Sequence, residues 1–172
     1  MSEIVQKQLS SQAFRVWAVI ASITAIWLFA TVAPAIISNI DDGRAGESLF
    51  SFFSYICHQI PDRSFHLGEH QFGVCSRCFG VYFGLAIGAL VYPLWRRVEN
   101  IDTMPRTWLI ASIVPMAIDW SLTFFDVWDN NHLSRFVTGA ILGAACGAYI
   151  VPAVVEIVRH AAPPDVPGQA PM

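Results

Sequence analysis

Charge is what this sequence is short of. Of its 172 residues only 13% are Asp, Glu, Lys or Arg, while 55% are hydrophobic and the mean hydropathy is +0.50. Residues 16–37 and 136–155 carry no charge at all. A helix of a soluble bundle keeps a polar stripe, and its absence here excludes that class. A basic excess is missing too: the formal net charge is -3, which argues against a nucleic-acid partner. No A-x-A-like cleavage site follows the first apolar run, which is longer than the about 7–15 residues of a signal-peptide core. That run is therefore expected to stay as an anchor. A C-x-x-C-H haem attachment is also lacking, because Phe79 follows Cys78.

In place of charge there are four stretches able to cross a hydrocarbon core about 30 Å thick, which takes roughly 17–25 helical residues. They are residues 16–37, 79–95, 107–125 and 136–155, and the third holds one acid, Asp119. The expected fold is all-α: one polytopic membrane domain over residues 1–158, with four transmembrane helices and a Cys/His loop, residues 57–78, between spans one and two. Residues 48–57 read as a short interfacial or re-entrant segment. The Pro- and Ala-rich residues 159–172 read as a disordered tail. Six of the ten basic residues (Lys7, Arg15, Arg96, Arg97, Arg106 and Arg159) fall on one side of the spans, which predicts cytoplasmic termini in a prokaryotic inner membrane.

Two spans carry glycines at steps of four, Gly80, Gly84 and Gly88 in one and Gly139, Gly143 and Gly147 in the other. Such faces let two helix backbones approach closely, so spans two and four are expected to touch, within one chain or between copies in a homo-oligomer or larger complex. Pro34, Pro115 and Pro152 lie within or near the ends of spans, where they kink a helix or free a carbonyl.

Chain parity puts the Cys/His loop, the end of span three and the start of span four at one face. Asp126 lies near that face, and Asp119 is seven residues earlier, roughly 10 Å deeper at about 1.5 Å per residue. A carboxylate at such a depth needs a partner or water. Arg135 is the expected partner, more readily for Asp126 than for Asp119. In the loop, Cys75 and Cys78 have the C-x-x-C spacing, and Cys57 with His58 supplies further ligands, His66 and His70 being alternatives. Three sulfurs and a nitrogen suit tetrahedral zinc. A disulfide clip and a thiol-disulfide exchanger fit the same cysteines.

The segments "CHQIPDRSF" and "VCSRCFGVYFG", with "PMAIDW" and "RFVTGAILG" further on, resemble a family of small prokaryotic predicted membrane proteins of unknown function. Trp120 departs from the glycine expected there. The resemblance implies a membrane location and the importance of Cys57, His58, Cys75, Cys78, Asp119 and Arg135, and it implies no reaction. The residues themselves suggest a metal-dependent hydrolase or transferase acting on a lipid-like or anionic substrate, with Asp119 or Asp126 as base and Arg63 or Arg135 stabilising an anion. The rival is a non-enzymatic accessory subunit in which zinc or a disulfide is structural.

Overall fold

The computed structural model describes residues 3–40, 44–102 and 104–161. Helix α1 (Glu3–Ile40) is followed by the short helix α2 (Arg44–Ser54), a 3-10 turn (Pro61–Arg63) and a hairpin of β1 (Ser64–Leu67) and β2 (His70–Cys75). Three helices complete the chain: α3 (Ser76–Trp95), α4 (Arg106–Phe124) and α5 (His132–Ala161). The four expected spans are present, since α1, α3, α4 and α5 are long and apolar enough to cross a membrane. They overrun the expected limits at several ends. Residues 159–161 of the expected tail continue α5, and the remainder of that tail lies outside the described residues.

Large apolar side chains point outward on every span, among them Ile26 and Phe29 on α1, Leu94 on α3 and Trp108 and Ile110 on α4. In water this surface would be a liability; against lipid tails it is the expected exterior.

The innermost contact is between α3 and α5, which run parallel. A methyl group at Gly80, Gly84 or Gly88 would overlap the carbonyl oxygen of Phe136, Ala140 or Ala144 on α5. Reciprocally, one at Gly139, Gly143 or Gly147 would strike the carbonyl of Arg77, Val81 or Leu85 on α3. The two glycine faces expected to meet do so within one chain, backbone on backbone. Helix α1 packs antiparallel to α3: Trp17 touches Ala89 near one end, and Trp27 meets Tyr82 nearer the hairpin. Helix α4 packs against α5 and on no other element to comparable extent.

A proline within α3 has its missing bond supplied from α1. Pro93 has no N–H to give the carbonyl four residues earlier, that of Ala89, and the Trp17 indole N–H donates to that oxygen at 2.7 Å. An orphan carbonyl in lipid is costly, so this bond both completes α3 and fixes α1 against it.

Residues 57–78, expected as a loop, are mostly ordered secondary structure. β1 and β2 pair antiparallel, with Leu67 opposite His70 and His66 opposite Gln71. The two residues between them begin with Gly68 at φ +60°, the position where a two-residue hairpin turn with glycine first needs a positive φ. The hairpin is pinned to α1 by the Asn39 side-chain amide, which donates to Leu67 O at 2.8 Å. Residues 48–57, read as interfacial or re-entrant, form most of α2, which packs on α1 and β2 and buries Phe53.

Two substitutions test this packing. Gly143→Leu forces α3 and α5 apart and is expected to lower the thermal midpoint in detergent by the equivalent of about 1–3 kcal/mol or more, as overpacking does, whereas Ile113→Phe on the outer face of α4 leaves it unchanged. Trp17→Phe keeps the ring but strands the Ala89 carbonyl and should cost about 1–3 kcal/mol, read by the same melting curve.

Candidate metal centre

Three elements bring the cysteines together. Chain leaving α2 turns inward, where the Cys57 N–H donates to Phe53 O at 2.9 Å and the side chain is buried. Cys75 ends β2 and is at once the N-cap of α3. Cys78 lies one turn further on. Ligand atoms of Cys57, Cys75 and Cys78 all lie within 4.8 Å of one another, and none of the chain's cysteines is disulfide-bonded. A start of helix favours negative charge. The Cys75 backbone N–H donates to Cys57 Sγ at 3.2 Å. The thiol of Cys57 is held well below its ordinary range, first by hydrogen bonds from the Cys75 and Cys78 thiols and further by backbone N–H groups, against the opposing effect of burial.

The segment between Cys57 and the hairpin is fixed by side-chain amides. Gln59 adopts φ 48°, an uncommon conformation for a residue with a Cβ. It is held there by donating to Phe50 O at 2.7 Å and Gly73 O at 2.8 Å, which ties the segment to α2 and β2 together. Gln71 returns the favour, donating to Gln59 O at 2.8 Å and Ser64 Oγ at 2.9 Å. Pro61 opens the 3-10 turn, and Ser76 at the start of α3 donates to Arg63 O at 2.9 Å. This lattice sets Arg63 beside the cysteines.

A cavity of about 400 Å³ is lined by the three cysteines Cys57, Cys75 and Cys78 together with Arg63, Arg77 and Arg135. His58 lines the same cavity but is exposed and stands outside the three-sulfur group. His66 and His70 lie on the hairpin at opposite sides of its turn and join neither the sulfurs nor this cavity. Asp126, at φ 52° just past α4, is exposed and does not line the cavity.

Asp119 finds a different partner from the one expected. Its carboxylate pairs with the Arg77 guanidinium and accepts a bond from the Asn130 amide at 2.8 Å. Arg135 donates instead to the Asn130 side-chain oxygen. The parallel α3–α5 seam sets Arg77 against Gly139, one turn from Arg135, and Asn130 links Asp119 to Arg135. Arg77 and Asn130 are the residues sequence reasoning passed over. Arg77 could have been found as the cation inside C-x-x-C at the same end as the acid; Asn130 had no comparable signal.

The chain Arg77, Asp119, Asn130, Arg135 links α3, α4 and α5. Asp119→Ala leaves Arg77 uncompensated and is expected to destabilise the detergent-purified protein toward the lower end of the about 3–5 kcal/mol seen when one member of a buried pair is removed. The double variant Arg77→Gln with Asp119→Asn should recover a measurable part of that loss in the same melts, and additive losses would show that the pair is not coupled.

An uncharacterized protein of Methanocaldococcus jannaschii is 34% identical over 110 residues, covering 64% of this chain and 70% of its own. Another from Methanothermobacter thermautotrophicus is 34% identical over 110 residues, covering 63% of this chain and 91% of its own. No solved structure matches the chain. Residues 57–149 match the family described as predicted membrane protein (DUF2085), a stretch that begins at Cys57 and includes every cysteine, arginine and acid of the cavity and its network. More than half of the chain is matched, and it belongs to this family of membrane proteins.

Proposed function

We propose that the chain is a membrane-embedded zinc protein, with both termini cytoplasmic and the cysteine site at the outer face, acting as a hydrolase or transferase on an anionic group. The observation that carries this reading is the meeting of three clustered cysteines and three arginines in the lining of one cavity. The donor set fits zinc: three soft ligands converge, two of them spaced C-x-x-C, and the start of α3 favours their charged form. Zinc held by Cys57, Cys75 and Cys78 with a fourth position open would supply a Lewis acid and lower the pKa of a bound water to about 7.

The protein's own groups have separable tasks. Arg63 and Arg135 bind and orient an anion in the same cavity as the sulfurs. Arg77 joins them, held by Asp119, so that Asp119 is assigned to positioning. His58 lines the cavity and is placed to carry a proton. Asp126 takes no part in this reading. Gln59 and Gln71 keep the wall from shifting.

Elemental mass spectrometry with a thiol count on the same detergent-purified sample tests the reading. About one zinc per chain is expected, absent from Cys75→Ser and Cys78→Ser proteins and retained in His58→Ala. Zinc lost from the His58 variant would indicate a closed four-ligand site and leave the enzyme reading without an open position. No zinc and two missing thiols would mean a disulfide clip.

A further inference from the structure

Two cavities lie along the seam between α3 and α4, floored by α5. The first, about 290 Å³, is at the hairpin end and is lined by Arg63, Arg77, Arg135 and Asn130 with Trp120 and Thr123. It shares its three arginines and Trp120 with the cavity in front of the cysteines. Among the described residues the three guanidinium groups face one carboxylate, Asp119, and that is paired with Arg77 alone. Arg77 Nε is buried with no hydrogen-bond partner there. Net positive charge gathered from three elements at the end of a membrane bundle suits an anion with several acceptor oxygens.

The second cavity, about 730 Å³, lies farther along the same seam toward the other end of the bundle, where Trp95 and Met104 border it, and is lined mostly by apolar groups including Val91, Trp108, Ala111 and Ala148. Its size falls within the roughly 300–1,000 Å³ of ligand sites. On α4 the two linings are separated by the stretch from Ser112 to Trp120, eight residues or about 12 Å along the axis, a gap that an extended hydrocarbon chain can bridge. The seam is open to lipid because α4 packs on α5 and not to comparable extent on α3. An anion site at one end of the bundle with an apolar trough farther along the same seam matches one kind of molecule in both chemistry and direction.

We infer that the α3–α4 seam binds a lipid with a phosphate monoester headgroup, the phosphate held by Arg63, Arg77 and Arg135 and a hydrocarbon chain lying in the trough lined by Trp108 and Ala111. Monoester phosphate offers the charge and acceptors that three guanidinium groups satisfy; a zwitterionic headgroup would bring a cation among them. This builds on the metal-centre reading, naming the substrate class of the same site, yet lipid and zinc are measured separately.

The test is quenching of tryptophan fluorescence in the full-length detergent-purified protein by phosphatidic acid brominated on its chains, with phosphatidylcholine of the same chains as comparison and inorganic phosphate as competitor. Phosphatidic acid is expected to bind at least tenfold more tightly than phosphatidylcholine. Arg63→Gln, on an exposed turn, and Ala111→Phe, which fills the trough, should each weaken it severalfold at unchanged zinc content. Equal affinity for the two lipids, or wild-type binding by Arg63→Gln, would overturn the headgroup assignment. Full competition by inorganic phosphate at matching concentration, or no effect of Ala111→Phe, would mean that free phosphate is the ligand and would overturn the lipid. Selective lipid binding without zinc would sink the metal reading and leave this one standing, and zinc without selective binding the reverse.

Discussion

A carboxylate inside an apolar bundle has to be answered by a cation or a donor, and the answer given to Asp119 organises the hairpin end of this protein. Arg77 from α3 and Asn130 from the segment before α5 both reach it, and Arg135 closes the chain through Asn130. Helix α4 leans chiefly on α5, so this network is its principal tie to α3. Apolar packing in lipid gains little from sequestration, since lipid tails are as apolar as the residues they would replace. A polar tie therefore has a disproportionate say in where α4 stands. It also leaves the seam between α3 and α4 closed by polar groups at one end and apolar along the rest.

That network is only as well placed as the start of α3, and the start of α3 is fixed by the glycine seam. Six backbone approaches between α3 and α5 leave no room for a methyl group, which sets the register of Arg77 against Arg135. The same first turn carries Cys75, Arg77 and Cys78, and successive residues of a helix point about 100° apart. One turn can therefore send sulfurs toward Cys57 and a guanidinium toward Asp119. Cys57 is brought to meet them by the Gln59 and Gln71 bridges, which hold a left-handed backbone residue in place.

The parts legible in the sequence are those written in local pattern. The four spans followed from uncharged runs, the α3–α5 contact from glycines at steps of four, and the sulfur group from C-x-x-C with an upstream cysteine. The hairpin was hidden because its strands are short and its signal is a single Gly68 at a turn, within a stretch whose cysteines and histidines draw the reading toward ligands. The partner of Asp119 is not legible in the sequence, because Arg135 and Asp126 are nearest in sequence to the membrane surface, whereas pairing depends on which helix faces which. Parity can place residues at one end of a bundle; it cannot order them around its circumference. Asn130 bridges two such positions and carries no pattern of its own.

The electrostatics of the cavity explain how its cysteines and its arginines can coexist. Three cysteines this close do not all ionise unaided, because each thiolate raises the cost of the next; Cys57 is held as the charged one by donors from the other two. A divalent cation bound there would let all three ionise and leave the cluster with a small net charge. The arginines of the same cavity would then remain available to an anion from outside. Without such a cation the nearest charged sulfur would compete for Arg63 and Arg135, and the cavity would tend toward an internal ion pair. A metal at the sulfurs and arginines in the lining of the same cavity would thus support one another, and the apolar trough farther along the seam would give the anion's hydrocarbon somewhere to lie.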